Sequence, residues 1–131
     1  MSQTSLRLSF FKLNTANMDA ALEFYRNAFG FSVIMTFDER DFLEHILALP
    51  EQESGPNLLL VQYKDGRDVT PGPGHGPVGF NTSDINAVFD RAISNGAKCL
   101  IPIFETGGVK VAILADPDGH EIELVQLPSS G

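Results

Sequence analysis

The residues best suited to chemistry are two charged side chains, Lys12 and Glu123, each flanked on both sides by apolar residues of a strand-like stretch. A charge turned towards a protein interior loses much of its solvation, so each of the two needs a partner or water. In such a place a glutamate can act as a general base, and a lysine can bind a substrate carboxylate or stabilise an enolate, without a metal. The alternative is a structural ion pair between the two, in a pocket that only binds its ligand.

The histidines and the single cysteine point less clearly to a site. His45, His75 and His120 are widely spaced and form no His-x-His pair, so they do not predict a metal site by themselves. We expect His120 to lie on the surface after a turn. Cys99 lies between Lys98 and apolar residues of a predicted strand, and we expect it to be an inert core residue.

Two similar helical segments indicate that half of the chain repeats the other. Residues 15–30 resemble residues 82–96, and in each copy a capping residue, Asn17 or Asp84, opens an apolar stripe at i, i+3/i+4 spacing that a glycine closes. The rest is rich in β-branched, Leu and Phe residues and predicts strands. We place them at 6–14, 31–38, 43–49 and 57–64 in the first copy and at 77–82, 97–104, 109–115 and 120–127 in the second.

Each copy is therefore predicted to be a β-α-β-β-β module. The modules are expected to span residues 6–69 and 77–127, joined by a linker at 70–76 that is too rich in Pro and Gly for regular structure. Neither is expected to bury a curved sheet alone, so residues 1–131 are predicted to form a single domain.

Charge and composition exclude several classes of function. The chain of 131 residues has 9 Lys and Arg against 17 Asp and Glu, a net charge of −8, and 43% hydrophobic residues. It lacks the basic patch that binds nucleic acid, and its apolar runs are too short to span a membrane. The first residues do not resemble a secretory signal and one cysteine cannot form an internal disulfide, so we expect a cytoplasmic protein.

Two motifs carry a family resemblance. The helix end Leu22-Glu-Phe-Tyr-Arg-Asn-Ala-Phe-Gly-Phe31 and the terminal stretch Asp116-Pro-Asp-Gly-His-Glu-Ile-Glu-Leu124, together with the duplication, resemble the vicinal oxygen chelate superfamily of glyoxalase I, extradiol dioxygenases, and fosfomycin- and bleomycin-resistance proteins. The resemblance covers about residues 6–127. It implies an α+β fold in which two tandem βαβββ modules form an open, eight-stranded, cup-like barrel with the helices outside, usually completed in a homodimer.

Strand alternation then suggests which side chains line this cup. Ile122 and Leu124 suit the helix side, which sends Glu121 and Glu123 to the cup. Glu44 is either a further pocket residue or an edge-strand charge that discourages aggregation, and alternation lets only one of Glu44 and His45 face inward. The same parity adds Phe10, Lys12 and Asn14 on the first strand, Leu58, Leu60 and Gln62 on the fourth, and Pro77, Gly79 and Asn81 on the fifth.

The resemblance also implies where a metal would bind. Metal-dependent members of the family place ligands at positions that correspond here to Phe10, Leu60, Pro77 and Glu123. Of these four side chains only Glu123 has a donor atom, and a Zn²⁺, Ni²⁺ or Fe²⁺ centre needs at least three protein ligands. We therefore expect no metal cofactor, although a divalent metal is possible if His75 or His45 rebuilds the site.

Two functions fit this pattern, and a pure interaction module is a third. The first is a metal-independent lyase or isomerase that acts on a small, partly apolar organic molecule, with Glu123 and Lys12 as its catalytic residues. The second is a protein that sequesters a drug or metabolite without reaction, for which an apolar lining is suited. A metal-dependent enzyme similar to lactoylglutathione lyase would need a rebuilt metal site.

Overall fold

A computed structural model describes residues 4–129 of the chain, which form eight strands and two helices in the order predicted. The elements are β1 (Phe10–Asn14), α1 (Met18–Phe29), β2 (Ser32–Asp38), β3 (Phe42–Ala48), β4 (Asn57–Tyr63), β5 (Val78–Asn81), α2 (Ile85–Ser94), β6 (Lys98–Thr106), β7 (Val109–Ala115) and β8 (Glu121–Gln126). The first strand is shorter than expected, because residues 6–9 precede it as irregular chain. Residues 64–77, which include the predicted linker, form no helix or strand.

The strands form two four-stranded mixed sheets. Their orders are β1-β4-β3-β2 and β5-β8-β7-β6. The pairs β1–β4 and β5–β8 are parallel, and all other neighbouring strands are antiparallel. A parallel pair needs a long crossover, and here the crossover contains the helix and two strands. The sheets do not close into a barrel, and the fold is the predicted α+β, cup-like one.

Both helices begin as the sequence predicts. The side chains of Asn17 and Asp84 each accept a hydrogen bond of 3.1 Å from the backbone N–H three residues on, which satisfies one of the free donors of the first turn. Helix α1 ends at Gly30, whose φ of 83° lies in the left-handed region that favours glycine. Helix α2 ends one residue earlier than that pattern suggests, with Asn95 as its cap and Gly96 following at a φ of 105°.

The buried faces of the helices join the two halves into one core. Helix α1 buries Met18, Ala21, Phe24, Tyr25 and Ala28, and it packs against α2. At the junction the rings of Phe29 and Phe80 stack with centroids 4.7 Å apart. Because residues of both sheets and both helices belong to the same core cluster, each half covers apolar surface of the other.

Candidate functional site

One face of the first sheet is left open by the helices, and its side chains can be assigned from the strand register. Phe10, Lys12 and Asn14 of β1 lie opposite Asn57, Leu59 and Val61 of β4, so these six share a face. The residues between them, Leu13, Leu58 and Leu60, belong to the core beneath the helices. Phe10, Lys12 and Asn14 therefore lie on the open face, as expected.

The expected placement of Leu58, Leu60 and Gln62 in the cup is wrong. Leu58 and Leu60 are buried in the core cluster. The side chain of Gln62 accepts a hydrogen bond of 2.7 Å from the Met18 backbone N–H and donates one of 3.2 Å to the Ala16 carbonyl oxygen. Strand β4 is apolar on both faces, so its sequence does not alternate and does not indicate which of its side chains face the cup.

The role of Gln62 has an equivalent in the second half of the chain. Gln126 accepts a hydrogen bond of 2.8 Å from the Ile85 backbone N–H, just as Gln62 does at the start of α1. A glutamine near the end of the last strand thus helps to hold the first turn of the helix in each half. The repeat of this residue type was the sequence signal that could have revealed the role.

Lys12 forms an ion pair on the open face. Its Nζ lies 3.1 Å from Oε1 of Glu44, and the Glu44 side chain is 11% exposed whereas that of Lys12 is 43% exposed. Glu44 lies opposite Val61 in the register, which places it on the same face as Lys12, while His45 turns away and its Nδ1 lies 2.8 Å from Oγ1 of Thr36. The partner of Lys12 is therefore Glu44 and not Glu123.

The open face of the second sheet carries the other acidic residues. Gly79 lies opposite Glu123 and Asn81 opposite Val125, whereas Ile122 and Leu124 are fully buried in the core, as predicted. Glu121 shares the face of Glu123 by alternation and is exposed, while Glu123 is half-buried. Within residues 4–129, no cationic side chain lies within ion-pair distance of Glu123.

A cavity of about 500 Å³ lies where β1 approaches the start of β5 and β8. It brings together three of the residues predicted for the site, Lys12, Pro77 and Glu121, with His75 and His120. The rest of its lining is mainly apolar and comes from Phe11, Leu13, Gly76 and Val78. Its size suits a small organic ligand. Phe10, Asn14, Gly79, Asn81 and Glu123 are on the open sheet faces outside the lining of this cavity.

His120 is buried, so the expectation that it lies on the surface is wrong. It is 8% exposed, and its Nε2 donates a hydrogen bond of 2.7 Å to the carbonyl oxygen of Asn14 in the other half of the chain.

The expectation that Cys99 is a core residue is also wrong, because its side chain is exposed. Its strand β6 lies at the edge of its sheet, where fewer neighbours cover the side chains.

A buried hydrogen bond joins the two halves beside His120. The Tyr25 hydroxyl donates to Oδ2 of Asp116 over 2.6 Å. Burial, reinforced by the nearby Asp116 carboxylate, raises the pKa of Tyr25 well above its usual value. Burial likewise raises the pKa of Asp116, and the hydrogen bond from Tyr25 opposes that rise. The contact therefore orients two polar groups that are largely buried.

The side chains at the positions that the resemblance assigns to a metal do not fit one. Phe10 and Pro77 carry no donor atom, and the side chain of Leu60 points into the core. The β4 residues that do share the open face, Leu59 and Val61, are also without donors. Glu123 is thus the one candidate ligand among these positions, which is too few for a metal centre.

Comparison with known proteins agrees with this fold. Residues 7–124 match the model of the Glyoxalase/Bleomycin resistance protein/Dioxygenase superfamily. A probable lactoylglutathione lyase of Vibrio cholerae is 26% identical over 121 residues, which are 87% of this chain and 86% of the relative. The lactoylglutathione lyase of Haemophilus influenzae is 25% identical over 126 residues, 90% of each chain.

Solved structures show the same fold at lower identity. Glyoxalase I from Zea mays is similar with a TM-score of 0.83 and 19% identity, over 94% of this chain and 45% of the maize chain. A glyoxalase family protein from Bacillus cereus has a TM-score of 0.83 and 14% identity, over 98% of this chain and 99% of its own.

No helix in the described part of the chain is long and apolar enough to cross a membrane.

Proposed function

Because the chain belongs to the Glyoxalase/Bleomycin resistance protein/Dioxygenase superfamily, we propose that it binds a small, partly apolar organic molecule in its cup and acts on it as a metal-independent lyase or isomerase. The observation that carries the proposal is the position of Lys12, which lines a cavity of suitable size and is held there by Glu44. The apolar lining would receive the body of the ligand, and the ammonium group would receive a carboxylate or carbonyl oxygen.

Glu123 is proposed as the general base, acting from the open face of the second sheet on the part of a ligand that extends beyond the cavity lined by Lys12 and Glu121. It removes a proton from the carbon next to a substrate carbonyl, the electron pair moves to the carbonyl oxygen, and the Lys12 ammonium group stabilises the enolate. In a substrate with a double bond between its β- and γ-carbons, return of the proton to the γ-carbon completes an isomerisation; in a substrate with a leaving group on the β-carbon, its departure with the electron pair of that bond completes a lyase reaction. Glu121 is the alternative general base, because it lies on the same sheet face as Glu123 and lines the cavity together with Lys12.

Sequestration without reaction is the second candidate function. The half-exposed apolar side chains on the open faces favour it, in particular Phe10, Met35 and Phe37 on the first sheet and Ile101 and Phe104 on the second.

The relatives named lactoylglutathione lyase suggest a further activity, which is tested by adding Zn²⁺ or Ni²⁺ to the protein and assaying formation of S-lactoylglutathione. We expect no metal-dependent activity, because the donors on the sheet faces are too few.

The binding proposal is tested by a thermal-shift screen of small aromatic and aliphatic carboxylates and 2-oxo acids. A ligand that raises the melting temperature should bind Lys12→Met about tenfold more weakly, because a hydrogen bond to a charged group contributes about 1.5 kcal/mol or more. Lys64→Met is the matched control, since Lys64 has a similar exposure of 44% and pairs with Asp38 away from the cavity. Equal weakening in both variants, or in neither, would contradict the proposed role of Lys12.

A homodimer is proposed as the assembly in which part of each open face packs against a second copy while the cavity lined by Lys12 stays accessible. Apolar side chains that are 39% to 52% exposed on the two sheets, Phe10, Met35, Phe37, Ile101 and Phe104, form the kind of surface that a second copy buries. The cytoplasmic location expected from the sequence stays a prediction.

A further inference from the structure

The turn between β7 and β8 holds three potential metal ligands that the proposed function does not use. One carboxylate oxygen of Asp116, one of Asp118 and one ring nitrogen of His120 all lie within 4.8 Å of one another. The turn sits at the junction of the two halves. Its residues are bound there through Tyr25, Ala16 and Asn14 of the first half.

The orientation of the His120 ring identifies which nitrogen is available. Its Nε2 lies 2.7 Å from the Asn14 carbonyl oxygen, which can only accept, so Nε2 carries a proton and the neutral ring has its lone pair on Nδ1. Nδ1 is buried and has no hydrogen-bond partner among the residues that the structure describes. A buried polar atom without a partner is rare and destabilising, so a ligand at Nδ1 would remove an unfavourable feature of the fold.

This arrangement has the features of a metal-binding histidine. Histidines that bind metals usually donate their second ring N–H to a carboxylate or a backbone carbonyl, which fixes the tautomer and the ring. The Asn14 carbonyl oxygen does this for His120. Two atoms that are each about 2.1 Å from one ion are at most about 4.2 Å apart, and the three donor atoms lie within 4.8 Å of one another, so a small approach of the side chains would bring them to coordination distance.

The two carboxylates are held in place and keep the capacity to bind. Oδ1 of Asp116 accepts hydrogen bonds of 2.9 Å from the backbone N–H groups of Asp118 and His120, and its Oδ2 accepts one from the Tyr25 hydroxyl. Oδ1 of Asp118 accepts a hydrogen bond of 3.1 Å from the Ala16 backbone N–H. Since each carboxylate offers about four lone-pair directions, both retain at least one for an ion.

We propose that Asp116, Asp118 and His120 bind one divalent cation within the β7–β8 turn, beside the hydrogen bonds that join this turn to the first half of the chain. Carboxylate oxygens suit Mn²⁺ and an imidazole nitrogen suits Zn²⁺, so these are the two ions that the mixed donor set favours. The site lies outside the four positions at which the family resemblance places a metal. His120 also lines the cavity that holds Lys12, but the cation site uses neither Lys12 nor Glu123, so metal binding can be tested separately from the proposed reaction.

The test is a calorimetric titration of the full chain, stripped with a chelator, with Mn²⁺ and with Zn²⁺ separately. One ion is expected to bind per chain and to raise the melting temperature. Asp118→Asn should weaken binding by at least about tenfold while it leaves the fold intact, because the asparagine Oδ1 can still accept the Ala16 N–H. Glu123→Gln, which removes the candidate ligand of the cup, should bind as the wild type does.

Three results would overturn the proposal. They are the absence of binding by the stripped wild type, equal binding by Asp118→Asn, and loss of binding in Glu123→Gln with retention in Asp118→Asn. As a second readout, NMR of the His120 ring should show a proton on Nε2 and a large shift of the Nδ1 resonance on addition of Zn²⁺. An unchanged Nδ1 resonance at saturating Zn²⁺ would also contradict the site.

Discussion

At the residue scale, the pair of Lys12 and Glu44 joins a half-exposed cation to a nearly buried carboxylate. The 11% exposure of the Glu44 side chain means that it has lost most of its hydration, so the charge of Lys12 has to compensate for that loss. An ion pair of two exposed side chains contributes much less, because both members stay hydrated. The chain contains such a pair in Lys64 and Asp38.

We therefore expect Glu44→Gln to lower the free energy of unfolding by about 1 kcal/mol. Asp38→Asn, which removes the carboxylate of the exposed pair, should lower it by less than about 0.5 kcal/mol. Urea denaturation at neutral pH measures both changes. If the two variants are equally stable, the pair on the open face has no special role in holding Lys12.

At this scale the sequence alone determines some positions and not others. Glu44 fits either a pocket residue or an edge charge by its sequence, and only the register with Val61 settles its face. The burial of His120 depends on a contact with Asn14 across 106 residues of sequence, which no local pattern encodes. Glu123 and Lys12 stood out because a charge among apolar residues is a local signal.

At the element scale, helices were the most predictable part of the fold and strand faces the least. The caps at Asn17 and Asp84 and the apolar stripes fix the helix starts by local chemistry. Strands with one apolar face, such as β8, alternate clearly, and the buried Ile122 and Leu124 confirm that prediction. Residues 58–61 of β4 are buried on both faces, so alternation gave the wrong face for Leu58, Leu60 and Gln62.

The glutamines that hold the helix starts give a prediction at this scale. Gln62→Leu should destabilise the protein by about 1 kcal/mol, because the Met18 N–H loses its acceptor in a part-buried place. Gln126→Leu should act similarly at the start of α2. Chemical denaturation measures both, with Gln52→Leu in an exposed loop as the control. A change in Gln62→Leu no larger than that of the control would show that the hydrogen bond is unimportant.

At the scale of the whole molecule, the two halves depend on each other through the core and the buried contact of Tyr25 with Asp116. Tyr25 is 1% exposed, and its hydroxyl crosses from one half to the other. Tyr25→Phe should lower the free energy of unfolding by about 1.5–3 kcal/mol, the range for a hydrogen bond to a charged group. Tyr63→Phe is the control on a half-exposed ring. A single unfolding transition is expected in both, and separate transitions would contradict one shared core.

The open sheet faces give the second prediction for the whole molecule. Light scattering should give a mass of twice 14.2 kDa, and Phe10→Asp should shift the protein towards the monomer by placing a charge on a surface that the second copy buries. Phe42→Asp, on an open-face position at the far end of β3, tests how far the interface extends. A wild type that is monomeric at high concentration would contradict the proposed dimer.

The central claim, metal-independent acid–base chemistry by Glu123, is tested most directly by hydrogen exchange of a bound 2-oxo acid. Protein stripped with a chelator should catalyse incorporation of deuterium from D₂O at the carbon next to the carbonyl. Glu123→Gln should lower the rate by about a hundredfold or more, whereas a loss of that size in Glu121→Gln alone would assign the base to Glu121 instead. Exchange that is equal in Glu123→Gln and the wild type, that is no faster than in buffer, or that requires an added metal ion would contradict the account.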